Sequence, residues 1–213
     1  HDIEKSVEFC RAIRDAVGNK ADLLFGTHGQ FNTAGAIRLG RRLEAFDPLW
    51  FEEPIPPDNL LEFQNVASQV RIPIATGERM TTKAEFSTVL RTGGASILQP
   101  ALGRSGGILE TKKIAAIGEV YNAQIAPHLY AGPVEWAANI QLAANIPNLL
   151  LVETILTGGD FHLKLIKNSI KWEDGFIIAP TEPGLGISFD EQVALDNPYT
   201  VSYTHLTLPT RLS

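Results

Sequence analysis

Short apolar runs recur down the chain, at 23–28, 49–54, 72–78, 95–101, 123–128 and 148–154, and a helical period of apolar residues fills each interval. The runs show little alternation, as expected of strands covered on both faces. Strand–helix repeats of this kind can bury their apolar surface only by forming a parallel sheet flanked by helices. Ile3, Val7, Cys10, Ile13 and Val17 mark the first helix, with Asp2 as its cap and Gly18 as its stop. A second helix runs from about Thr33, with Ala36, Leu39, Leu43 and Phe46 on one face, and ends before Asp47-Pro48. Further helices are expected at 58–70, after the Thr82/Glu85 capping box, at 107–121 and at 133–144. No G-x-G-x-x-G follows a strand, so a dinucleotide fold has little support.

Composition removes several classes of function. The chain has 213 residues, 44% hydrophobic and 20% charged, with a formal charge of −6 and no basic block. A nucleic-acid partner is not expected, because phosphate neutralisation needs clustered Lys and Arg. No apolar stretch reaches the roughly 18–20 residues of a membrane span, so no membrane partner is expected. The single cysteine, Cys10, lies on an apolar helix stripe and reads as a core residue. A reducing, cytoplasmic setting suits that count. The chain starts at His1 rather than Met and enters a helix almost at once, which suggests a fragment with more sequence upstream. Residues 201–213 lack a helical period and read as a non-native tail, so His205 is assigned no role.

The polar residues sit where the apolar runs end. Gly26 and His28, Glu52 and Glu53, Glu78, Gln99, His128 and Glu153 close the six runs in turn. A glutamate at a strand end is, taken alone, ordinarily a solvated or ion-paired loop residue. A β/α barrel, however, brings all its strand C-termini to one face, the face used for catalysis. Carboxylates gathered there repel one another unless a cation lies between them, and oxygen ligands favour a hard ion such as Mg²⁺. Other signals are blander. Trp50 and Trp136 read as packing residues, Arg79 as the partner of an acid, and "GRSGG" (103–107) as a tight turn rather than a phosphate cradle.

The stretches "THG", "WFEEP", "IATGER", "LQPALGRSGGI", "APHLYAGP" and "NLLLVE", in that order, resemble the mandelate racemase-like branch of the enolase superfamily. The likeness runs from about residue 1 to 200 and is greatest to sugar-acid dehydratases of the galactonate dehydratase type. It implies an incomplete β/α (TIM-type) barrel of about six βα units. By this resemblance, residues 1–157 form the catalytic barrel part, and 158–200 pack toward a capping domain that the chain lacks. It also implies a Mg²⁺ ion held by Glu52 and Glu78, His128 as general base, His28 as general acid, and Glu153 on the substrate's carboxylate end. The reaction implied is loss of water from a sugar acid, with a homo-oligomer expected at full length and no activity from the chain alone. A racemase or cycloisomerase of the same chemistry is one alternative, and a non-catalytic homologue is another.

Two positions depart from that pattern. Gly26 stands where the family places its first metal-binding aspartate, and Ala101 where an aspartate often partners the base histidine. Compensation is open to His28 as a metal ligand, to extra waters, or to a substrate oxygen. Six strands cannot close an eight-stranded barrel, so the first two are expected to be missing.

Overall fold

A computed structural model describes residues 2–154, 159–168 and 170–198. The boundary at 157–158 and the tail 201–213 fall outside or at the edge of these described residues. Five parallel strands form one sheet: β1 (Leu23–Gly26), β2 (Pro48–Glu52), β3 (Ile74–Thr76), β4 (Ile97–Leu98) and β5 (Gln124–Ile125). Their spatial order is their chain order. A doubly wound sheet reverses direction at a switch point, whereas a barrel winds on in one sense. The architecture is therefore an incomplete β/α barrel.

Helices α1 (Asp2–Val17), α2 (Thr33–Leu43), α3 (Leu61–Ala67), α4 (Lys83–Arg91), α5 (Leu102–Ser105), α6 (Gly107–Val120) and α7 (Pro133–Ala143) alternate with the strands. Their starts follow local chemistry. Asn32 Oδ1 accepts from Gly35 N at 2.8 Å ahead of α2. Thr82 and Glu85 close the expected capping box on α4. Asp2 lies inside the first turn of α1 rather than ahead of it, where an acid still suits the positive helix end. The helix α2 tightens into a 3₁₀ turn at Glu44–Phe46, and Asp47 turns left-handed (φ 47°) before Pro48 opens β2.

The strand side chains divide between two cores. Phe51, Ile74, Leu98 and Ile125 face outward and pack with Leu39, Leu43, Phe63, Phe86 and Ile114 of the helices. Trp50, Ala75, Ile97 and Ala126 face inward and form a smaller cluster with Leu49, Leu150 and Leu151. Alternation along each strand separates the two sets. Phe86 is fully buried and sets the spacing of the next turn: a Cβ on Gly77 would lie 2.6 Å from its ring and 3.0 Å from Gln99 N. Gly77 also holds φ 140°, which side-chain-bearing residues rarely adopt.

Three expectations need correction. The run 148–154 is not a sixth strand; it joins the sheet only through the Ile125↔Leu149 bridge, with Ile125 N on Asn148 O and Leu150 N on Ile125 O. The neighbouring β5 is itself only two residues long, Gln124–Ile125. "GRSGG" is more than a turn: Leu102–Ser105 form the short helix α5, and Gly106 and Gly107 take positive φ to redirect the chain into α6. Helix α3 is shorter than the 58–70 expected, because residues 58–60 form a turn in which Asn59 Oδ1 accepts from Leu61 N.

The described part of 158–200 packs on α7. It contains α8 (Gly159–Lys164), the antiparallel hairpin β6 (Lys171–Glu173) and β7 (Phe176–Ile178), and α9 (Glu191–Asp196). Leu129, Trp136, Ile140, Ile166 and Ile170 share one apolar cluster. Gln141 Nε2 donates to Pro180 O at 2.9 Å. Through Leu129 this cluster anchors the loop that carries His128.

Phe86→Ala in the full-length protein is expected to cost about 3–5 kcal/mol, the usual loss for a fully buried phenylalanine. Equilibrium denaturation measures it. A loss under 1 kcal/mol would show that this layer is not tightly packed.

Candidate active site

Strand register places the acids. Gly26, the last residue of β1, pairs with Glu52, the last residue of β2. Glu52 points inward with Trp50, two residues earlier on the same face. Its Oε2 accepts from Trp50 Nε1 at 3.0 Å and from Gln99 Nε2 at 2.8 Å. Trp50 is thus more than packing: its ring fills the inner core while its N–H orients a carboxylate. The i, i+2 spacing of Trp50 and Glu52 was the available signal, and sequence reasoning did not use it.

Glu78 lies beyond β3, past the left-handed turn at Gly77, and is 7% exposed. Two imidazoles meet it. His28 Nε2 lies 2.9 Å from Oε1, and His128 Nε2 lies 3.5 Å from Oε2. The first is hydrogen-bond distance and the second a looser ion-pair contact. Arg104 Nη1 donates to the Glu78 carbonyl oxygen at 2.8 Å, a contact that the sequence did not announce. Glu153 Oε2 accepts from Leu129 N at 2.6 Å, which ties it to the residue after His128. The structure therefore brings His28, Glu52, Glu78, His128 and Glu153 to the rim, together with Gln99.

The acids sense each other. Burial pushes the Glu52 carboxyl above its usual range; the Gln99 hydrogen bond opposes this, and the negative charges of Glu78 and Glu153 add to it. Acceptors also outnumber donors here. Gln99 Oε1 is buried without a donor among the described residues.

Glu53, beside Glu52, faces away from this cluster. It is fully buried, with Oε1 on Thr76 Oγ1 at 2.9 Å and Oε2 on Arg79 Nε at 2.7 Å. Arg79 is the ion-pair partner of an acid, as the sequence suggested.

Gly26 contributes no ligand. Its φ is not left-handed, and a Cβ there would meet only Glu52 atoms, at 3.8 Å or more. Ala101 is buried and offers His128 no partner. Among the described residues, no group of three or more His, Cys, Asp or Glu side chains is arranged to hold a metal ion. The donor set nevertheless fits a divalent cation in chemistry, because Glu52 and Glu78 supply hard oxygens whose mutual repulsion a cation relieves. Mg²⁺ commonly keeps several waters and needs only one or two protein carboxylates.

Without divalent cations, Glu52→Gln is expected to raise Tm at neutral pH. A carboxyl raised in the folded state costs stability once ionised; that cost is full above its folded pKa and vanishes below its unfolded one, about 4.3. The gain should therefore disappear on acidification through that window. A Tm difference that does not change with pH would contradict the burial of a charged Glu52.

Residues 1–193 match the enolase C-terminal domain-like family. A D-gluconate/D-galactonate dehydratase of Picrophilus torridus is 36% identical over 90% of this chain and 49% of its own length. A D-galactonate dehydratase of Variovorax paradoxus is 37% identical over 89% of this chain and 51% of its own. Among solved structures, a mandelate racemase/muconate lactonizing enzyme from Sulfitobacter sp. is 67% identical, with a TM-score of 0.90 over 95% of this chain and 50% of that one. The chain spans about half the length of these relatives. Among the described residues, no helix is long and apolar enough to cross a membrane. The match over most of its length, and the one-way parallel sheet with acids and histidines at its rim, make this chain a member of the enolase superfamily, within its mandelate racemase/muconate lactonizing enzyme-like branch.

Proposed function

We propose that the protein is a Mg²⁺-dependent dehydratase of sugar acids. The observation that carries the reading is a pair of imidazoles, from the ends of two different strands, on opposite oxygens of one buried carboxylate, Glu78. Elimination of water needs a base for the proton α to a carboxylate and an acid for the departing hydroxyl. His128 and His28 can supply them at neutral pH.

Glu52 and Glu78 would hold the cation. A bound Mg²⁺ supplies stabilisation of the charge that develops on the substrate carboxylate when its α-proton leaves. The remaining work belongs to the side chains. His128 Nε2 takes the α-proton and its electron pair passes into the enediolate. The enediolate expels the β-hydroxyl, which leaves as water with the proton from His28 Nε2. The resulting enol tautomerises to a 2-keto-3-deoxy acid. Each Nε2 faces Glu78 in the structure, so each must leave that carboxylate before it can reach substrate. Glu153, whose Oε2 accepts from Leu129 N, is assigned to the carboxylate end of the substrate. Trp50 and Gln99 keep Glu52 turned inward. The dehydratase relatives support the substrate class.

A second reading, a non-catalytic homologue, draws on Gly26 and Ala101. The two readings separate on one screen. The full-length protein is expected to convert members of a sugar-acid library to 2-keto products only with Mg²⁺, and His128→Asn is expected to lower turnover by about 10²–10⁴-fold. No keto product from any acid would favour the second reading; turnover without divalent metal would overturn the assignment of Mg²⁺.

The vacancy at Gly26 generates a further expectation. An aspartate fits there without backbone strain, beside Glu52. If the site has been rebuilt with His28 turned to the metal, Gly26→Asp lowers turnover, and His28→Asn weakens Mg²⁺ affinity along with turnover. Affinity unchanged in His28→Asn, measured by calorimetry, would leave His28 as a general acid alone.

A further inference from the structure

His28 poses a mechanical problem. Its side chain is 69% exposed, so packing does not hold the ring, and its backbone sits at φ 51°, in the left-handed region. A non-glycine residue there costs about 1–2 kcal/mol and persists only where its surroundings impose it. The backbone on either side of His28 must therefore be fixed by something else.

Glu53 is what fixes it. Its carbonyl oxygen accepts from Thr27 Oγ1 at 2.8 Å and from Gly29 N at 2.7 Å, one contact before His28 and one after. Glu53 is itself left-handed, at φ 41°, so its own conformation needs support. That support comes from its carboxylate, which is fully buried and fully engaged. Thr76 Oγ1 holds one oxygen, and Nε and Nη2 of Arg79 both hold the other. A carboxylate buried this deeply persists as an ion only with such partners.

Arg79 also meets the same loop directly. Its guanidinium lies so close over Gly29 that any Cβ there would collide with it, and Gly29 is held at φ 67°. Arg79 also directly follows Glu78, the carboxylate that His28 meets at 2.9 Å. One ion pair thus governs both sides of that contact: the loop carrying the imidazole and the segment carrying its acceptor.

We propose that Glu53 and Arg79 are positioning residues that fix the backbone of the loop carrying His28 beside the segment carrying Glu78, while the exposed ring stays free to turn from Glu78 to substrate. They touch neither substrate nor reacting atoms and act by fixing the geometry of the proton donor. The proposal rests on the roles of His28 and Glu78 given above. Arginine suits the task better than lysine, because two N–H groups in a rigid fork meet one carboxylate oxygen.

The test uses the full-length protein with four variants: Glu53→Gln, Arg79→Lys, the neutral double variant Glu53→Gln/Arg79→Gln, and Gly29→Ala. Four quantities are read: kcat, KM, the thermal melt, and the ¹⁵N imidazole signal of His28 by NMR. The double variant is expected to lower kcat by about 10–100-fold with KM little changed, since small displacements of a reacting group cost that much. The His28 signal should shift and broaden in it. Arg79→Lys should recover part of both, and Gly29→Ala, which displaces the guanidinium, should reproduce the loss.

A variant that melts lower but keeps the parent's kcat and His28 signal would overturn the proposal and leave the pair a structural one. If the double variant does not fold, Arg79→Lys decides, because it retains the charge; parental kcat and signal there would equally overturn it. If the parent shows no dehydratase activity, the proposed function fails, and the His28 signal alone judges the clamp. An unchanged signal across the variants then overturns it.

Discussion

Parallel strands wound in one sense have all their C-terminal ends on one rim; this chain places Glu52 and Glu78 at two of those ends and Glu153 on the segment bridged to β5. The geometry that makes a site also makes an electrostatic problem. Glu52 is half-buried and carries a raised carboxyl because burial and the charges of Glu78 and Glu153 disfavour its ionised form. Hydrogen bonds from Trp50 and Gln99 offset part of that cost. The remainder is a standing attraction for a cation or a proton, and it is why a sheet of this topology is suited to divalent-metal chemistry at that rim.

Glu53 shows the opposite solution, one residue away. It is more deeply buried than Glu52, yet both its oxygens are saturated by Thr76 and Arg79. Glu53 lies just past the end of β2 with a left-handed backbone (φ 41°), and its carboxylate goes to Thr76 and Arg79 rather than beside that of Glu52. Of two adjacent glutamates, one is left with unsatisfied charge and free to do chemistry. The other is neutralised and free to hold a loop.

The missing carboxylates at Gly26 and Ala101 gain meaning in this setting. At Gly26 the neighbouring space is open and the backbone is relaxed, so nothing steric requires glycine there. At Ala101 the position is buried and opens α5, whose residue Arg104 reaches back to the Glu78 carbonyl. Glu78, bracketed by His28 and His128, is the carboxylate on which the rim's histidines converge.

The amino-acid sequence alone carried the fold class, because apolar runs without alternation, separated by helical periods, admit few arrangements other than a parallel β/α one. It also named every acid and histidine that the rim assembles, since each closes an apolar run. It overstated the strands: 148–154 has the composition of a strand but meets β5 only at the Ile125↔Leu149 bridge, and pairing is a property of the sheet rather than of the segment. What tertiary structure decided was which polar atoms meet. That Glu78, not Glu52, receives both imidazoles depends on the left-handed turns at Gly77 and His28. That Trp50 serves a carboxylate, and that Glu53 and Arg79 meet on one loop, depends on side-chain directions across neighbouring strands. Contacts between residues far apart in the chain are set by register and turn conformation, and neither has a local signal strong enough to be read from the residues alone.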